Sequence, residues 1–141
     1  MLDYNKIMDG EDTSKALDAF FGDAAESRAI FDVLRVMIER LGGVTLRVSR
    51  SQVAFRRRTA FTWVWMPRMY LSGGRPEQYL HRPAAPLVLT VGLRRRDPSP
   101  RWKQVVEPAP GRFTHHLELY SAGDLDDEGR RWLLEAWEKA G

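Results

Sequence analysis

Residues 44–65 read VTLRVSRSQVAFRRRTAFTWVW, and the alternation in this stretch decides the fold. Val44, Leu46 and Val48 alternate with Thr45, Arg47 and Ser49. Past Arg50-Ser51, Val53 and Phe55 alternate with Gln52, Ala54 and Arg56, and past the arginine run Phe61, Trp63 and Trp65 alternate with Thr62, Val64 and Met66. A period of two sends successive side chains to opposite faces of a strand, so three strands are predicted, each with an apolar and a mixed face. Their short links predict antiparallel neighbours, because a parallel pair needs a crossover of roughly a dozen residues. On this parity the Phe61, Trp63 and Trp65 rings point into the core, and Arg56-Arg57-Arg58 lies at a hairpin turn.

Working outward, Pro67 closes the third strand, Met69 to Ser72 predict a short strand before Gly73-Gly74, and Arg75 to Pro86, with three prolines, predicts a loop. Leu87, Leu89, Val91 and Leu93 alternate with Val88, Thr90 and Gly92. After a Pro-rich connection, Phe113, His115, Leu117 and Leu119 alternate with Thr114, His116, Glu118 and Tyr120. Helical spacing occupies the two ends. Asp23 and Glu26 resemble a capping box ahead of Ile30, Leu34, Met37, Ile38 and Leu41, which predicts a helix over about 24 to 41 that Gly42-Gly43 stops. SKALDAFF predicts a shorter helix before it. Asp124 offers a cap for a last helix, with Leu125, Trp132, Leu133, Ala136 and Trp137 on one face. The expected fold is α+β: a two-layer sandwich whose mainly antiparallel sheet of five or six strands carries N-terminal and C-terminal helices on one face. Residues 1–12 are expected as a flexible tail and 13–141 as a single domain, a size ordinary for one core in a chain of 141 residues.

Composition narrows the function classes. No cysteine is present, which excludes disulfides, thiolate metal sites and cysteine nucleophiles. No run approaches the roughly 18 apolar residues of a membrane span, and the polar, acidic start is unlike a signal peptide, so a cytoplasmic protein without a membrane partner is expected. The net charge of +3 hides segregation: residues 1–32 carry −5, residues 33–112 carry +12 and residues 113–141 carry −4. Such asymmetry suits an anionic partner, or attraction between parts of the molecule. Arginine outnumbers lysine eighteen to four, a bias that genome composition also produces.

The segments VSRSQVAFRRRTAFTWVWMPRMYL, PLVLTVGLRRRDPSPRWKQVVEPAPGRFTHHLEL and DLDDEGRRWLLEAWEKAG, in this order, resemble the bacterial domain-of-unknown-function family 5655 over most of residues 24–140. The resemblance implies no activity and supplies no catalytic residues. Members that occur appended to proteins resembling restriction systems imply a nucleic-acid-related role.

Two arginine-rich segments are the binding candidates. Arg56, Arg57 and Arg58 suit phosphate contact, since guanidinium forks match phosphate oxygens, and equally suit a solvated hairpin tip. Arg94, Arg95, Arg96, Arg101, Trp102 and Lys103 form a second cluster around the turn-forming Asp97-Pro98-Ser99-Pro100. The two share an end of the sheet only if Met69 to Ser72 is not an intervening strand. A second candidate is a polar pocket on the open sheet face, with Arg47, Gln52, Thr62, Thr90, His116, Glu118 and Tyr120. His115 falls on the core side by parity, and His81 is remote, so no metal site is expected. No nucleophile elbow, phosphate-binding glycine loop or dinucleotide fingerprint occurs. The leading expectation is therefore a non-catalytic module for nucleic acid or another phosphate-bearing ligand, without cofactor. The alternatives are a small enzyme using the open face, or a protein-interaction or homodimer surface centred on Val64 and Met66.

Overall fold

The computed structural model describes residues 10–67 and 84–141. The elements run α1 (Gly10–Phe21), α2 (Ala25–Glu39), β1 (Thr45–Val48), β2 (Val53–Arg56), β3 (Ala60–Trp65), β4 (Leu87–Leu93), β5 (Gln104–Ala109), β6 (Arg112–Leu119) and α3 (Asp127–Lys139). The six strands form one antiparallel sheet in the order β1-β2-β3-β4-β6-β5. The helices cover one face, giving the expected α+β sandwich. Leu17, Phe20 and Phe21 of α1, Ile30, Phe31, Leu34 and Ile38 of α2, and Trp132, Leu133 and Ala136 of α3 close over Val53, Phe55, Leu89, Val91, Leu117 and Leu119. Each fully buried side chain of this size stabilises the fold by about 1.5–3 kcal/mol.

Several expectations shift. The strand and most of the loop expected between Met69 and Pro86 lie outside the described residues, but Trp65 pairs directly with Val88, so β3 and β4 are neighbours with no strand between them. A strand not foreseen, β5, occupies the Pro-rich connection. Pro108 has no N–H to donate, and it falls where the β5–β6 pairing loses register between Val106 and Ala109. Residues 10–12, expected in the tail, belong to α1. Asp23 does not cap α2: Gly22 turns the chain at φ 54° and Ala24 becomes the cap residue, without a side-chain bond. Asp126, not Asp124, caps α3 by accepting from the Gly129 N–H at 3.0 Å. The Asp124 carboxylate instead accepts from the Tyr120 and Ser121 N–H groups one turn earlier.

The largest correction lies in β3. Arg56 pairs with Ala60 while Phe55 pairs with Thr62, so Phe61 is an extra residue in the ladder. A bulge of this kind inverts the parity of everything after it. Phe61 is buried as expected, but Thr62, Val64 and Met66 also face the core at 0%, 0% and 1% exposure. Thr62 therefore leaves the open-face group, and its hydroxyl is satisfied by donating to the Thr90 carbonyl at 2.7 Å. Val64 and Met66 cannot centre an interaction surface, because both are core residues. Trp63 and Trp65, expected in the core, stand on the opposite face.

Candidate functional site

One row of paired residues crosses the face away from the helices: Arg47, Ala54, Trp63, Thr90, His116 and Gln104. Trp65, Val88 and Glu118 form part of the next row. The centre is closed, with Val88 at 1% and Thr90 at 6% exposure, and the rim is open, with Tyr120 at 44%. Thr90 holds the centre together: its hydroxyl accepts from the Trp65 indole N–H at 3.1 Å and lies 2.7 Å from His116 Nδ1. Burial pushes the His116 imidazole below its ordinary value, and the neighbouring His115 adds to this, which favours the neutral ring. Beside it, Glu118 accepts from the Tyr120 hydroxyl at 3.3 Å and lies 3.8 Å from the Lys103 ammonium. Thr90, His116, Glu118 and Tyr120 thus come together, while Arg47 and Gln52 lie across the sheet toward β1 and β2. A cavity of about 550 Å³ lies elsewhere, between α2 and α3, lined by Val33, Val36, Met37, Leu41 and Leu133 with Asp32, Arg40 and Arg130. None of the open-face candidates lines it.

His115, on the opposite side of β6, is fully buried as its parity predicts. Its Nδ1 lies 3.2 Å from the Phe113 carbonyl and its Nε2 accepts from the Asp97 N–H at 2.9 Å, which fixes the neutral tautomer with the proton on Nδ1. Burial depresses its proton affinity, so this is a structural histidine.

The second arginine cluster is tied to α3. Arg95 donates to both Glu135 oxygens, at 2.9 and 2.8 Å, and to Asp97 at 2.8 Å; the Glu135 bonds first, then Asp97, hold the guanidinium above its ordinary value. Arg101 reaches Asp126 at 3.0 Å, Glu128 at 2.9 Å and the Asp124 carbonyl at 2.9 Å. Trp102 is buried, its ring centroid 4.1 Å from that of Trp132 and 4.8 Å from that of His115, and its N–H donates to Asp97 at 2.9 Å. Burial pushes the Asp97 carboxyl up, but bonds from Trp102, the Ser99 N–H and Arg95 outweigh it and hold the carboxyl below the usual range. The segment from Arg95 to Trp102 is therefore a strap that fastens β4 and β6 to the acidic helix. Part of the charge segregation in the sequence is answered within the molecule.

The first cluster is divided in the same way. The Arg57 guanidinium lies 3.6 Å from the Trp137 ring centroid and donates to the Trp137 carbonyl at 3.2 Å, while the Arg58 and Thr59 N–H groups donate to the Ala140 carbonyl. These donors meet the negative pole of α3, where helix carbonyls lack partners. Arg56 and Arg58 are exposed. Since β4 runs antiparallel to β3, Leu93 ends beside Ala60, and Leu93 pairs with Phe113. The Arg56–Thr59 turn, Arg94 to Arg96, and the β5–β6 turn before Arg112 consequently share one end of the sheet. Arg56, Arg58, Arg94, Arg96 and Arg112 are all exposed there, and none makes an ion pair among the described residues. Arg96 lies 5.6 Å from the Phe113 ring centroid. Arg112 was not among the sequence candidates; recognising Gly111 as the turn of a QVVEPAPGRF hairpin is the signal that finds it. Trp63 was misplaced by the unseen bulge.

Among the described residues no helix is long and apolar enough to cross a membrane. Neither the curated proteins nor the solved structures provide a match to the chain. The family model for a domain of unknown function, DUF5655, matches residues 17–140, which among the described residues span α1 to α3 and β1 to β6 apart from the first turns of α1. The protein belongs to the DUF5655 family.

Proposed function

We propose that this domain is a non-catalytic cytoplasmic binding module that holds nucleic acid through its phosphates at the arginine-bearing end of the sheet. The observation that carries the reading is the contrast between two sets of arginines. Arg28, Arg35, Arg95, Arg101 and Arg130 each hold a carboxylate, whereas Arg56, Arg58, Arg94, Arg96 and Arg112 gather at one end without an ion pair among the described residues. Glu107, near the β5–β6 turn, is engaged by the Gly111 N–H at 3.1 Å. Like charges held together repel, and a polyanion turns that repulsion into attraction. Guanidinium forks match phosphate geometry, and each phosphate neutralised releases counterions.

Fluorescence anisotropy with labelled oligonucleotides at stepped salt concentrations tests this. If four or five arginines engage phosphates, log K against log salt has a slope of about −3 to −4.5. Arg56→Glu with Arg94→Glu weakens binding and flattens the slope, while the fold is kept because both side chains are exposed. Absence of binding to any nucleic acid at low ionic strength overturns the reading.

A further inference from the structure

We infer that Trp63 is a base-stacking platform and that the ligand is single-stranded nucleic acid; this deepens the function proposed above and rests on it. The five tryptophans divide sharply. Trp65 donates to Thr90 and meets the His116 ring edge-on, Trp102 and Trp132 pack against each other, and Trp137 donates to the Gly42 carbonyl and carries Arg57. Trp63 alone makes no hydrogen bond, ring contact or cation contact among the described residues, although it is only half-buried on the face away from the helices. A large ring in such a position is usually anchored by its N–H or packed against another ring.

The sheet is shaped around it. Its partner on β2 is Ala54, and Gly92, two residues along β4 from its partner Thr90, carries no side chain. A Cβ added to Gly92 would stand 3.3 Å from the Phe61 carbonyl oxygen and 3.4 and 3.7 Å from Trp63 Cζ3 and Cη2, so the edge of the indole lies beside the bare glycine backbone. Ala54 and Gly92 add little bulk beside the ring, and Arg56 shares this face two residues from Ala54 and begins the arginine-bearing end. A partly exposed ring next to guanidinium groups is an arrangement that holds an unpaired strand: the cations follow the phosphates and the ring takes a base face. Bases inside a duplex are stacked on one another and cannot lie on a flat sheet, so single strands are preferred.

The test compares an unstructured labelled oligothymidine with a labelled duplex of equal length, using the full chain and Trp63→Leu, Trp63→Phe and Gly92→Val, each checked for folding by circular dichroism. The single strand is expected to bind more tightly than the duplex. Trp63→Leu weakens it about 10-fold or more, Trp63→Phe weakens it less, and the salt slope stays unchanged because no phosphate contact is lost. Gly92→Val keeps the tryptophan but sets a branched side chain beside its ring, and is expected to weaken the single strand alone. Equal affinity for duplex and single strand, or a folded Trp63→Leu variant that binds as the parent does, overturns the stacking inference and leaves the phosphate reading standing. Failure to bind either form overturns both.

Discussion

Removing the Trp102 side chain separates a strap from a solvated loop more cleanly than any other single change. The ring is 8% exposed, with its centroid 4.1 Å from Trp132 and 4.8 Å from His115, and its N–H donates to the charged Asp97 at 2.9 Å. Truncating a buried tryptophan to alanine costs about 3–5 kcal/mol. The lost bond to a carboxylate adds up to about 1.5–3 kcal/mol, reduced here because the Ser99 N–H and Arg95 continue to hold Asp97. The two losses overlap, so Trp102→Ala is expected to cost about 4–5 kcal/mol, a large share of the roughly 5–15 kcal/mol that holds a typical domain. With a urea slope of about 2 kcal/mol/M, the unfolding midpoint falls by about 2 M. Trp102→Phe keeps most of the ring and loses the donor, so its midpoint falls by less than half as much. Urea unfolding followed by circular dichroism reads both variants. A Trp102→Ala midpoint within about 0.3 M of the parent, at unchanged slope, would refute the strap, because a tryptophan displayed to a ligand carries no such stability.

Three further outcomes follow from the geometry. Arg57→Ala loses the cation–π contact and the bond to the Trp137 carbonyl, and is expected to lower the melting temperature by a few degrees, for a cost of about 1 kcal/mol, whereas Arg58→Ala leaves it unchanged; equal effects in a calorimetric scan would count against the assignment. His115 has a depressed folded-state affinity for protons, so the unfolded chain takes up a proton first and stability, full above the ordinary histidine range near about 6.5, declines as pH falls through it. Asp97 and Arg95 are the charged groups facing it, and His116 contributes with the same sign. A urea midpoint that drops between pH 7.5 and 5.5, less steeply in His115→Asn, is the expected record; a flat profile contradicts it. Asp126→Ala removes both the α3 cap and an Arg101 partner, and is expected to lower stability by about 1–2 kcal/mol, where Asp127→Ala, on the exposed first turn, changes it little; chemical denaturation compares them.

The sheet was legible in the sequence wherever period two ran unbroken. Leu87 to Leu93 and Phe113 to Leu119 face as their alternation says, and His115 falls on the core side for that reason alone. The bulge at Phe61 left no such trace. Phe61, Trp63 and Trp65 alternate without a fault, yet one residue looping out of the ladder reverses the faces of all that follow, and both candidate faces are apolar enough there to accept either register. β5 was hidden for another reason: Pro108 argues against a strand, and only its place on the outside of the sheet, in an irregular stretch of pairing, makes it tolerable. The arginine clusters were visible as charge, but their division was not. Which guanidinium meets a carboxylate depends on α3 lying across the strap, and Glu135 and Asp126 are distant from Arg95 and Arg101 in the chain.

The grip of α3 on the first hairpin has a consequence for the order in which the molecule can be made. Trp137 meets Arg57 across 80 positions and the Gly42 carbonyl across 95, and the Ala140 carbonyl receives the N–H groups of Arg58 and Thr59. A polypeptide leaving the ribosome presents α1, α2 and the β1–β2–β3 meander long before residues 137–140 exist. Until then the turn lacks its acceptors and the apolar side of β3 and β4 lacks its cover. Contacts of such long sequence separation slow folding and lengthen the life of species with exposed apolar surface. The domain is therefore expected to mature only after its last helix is synthesised, and a nascent chain arrested before Trp132 should be held by chaperones or degraded.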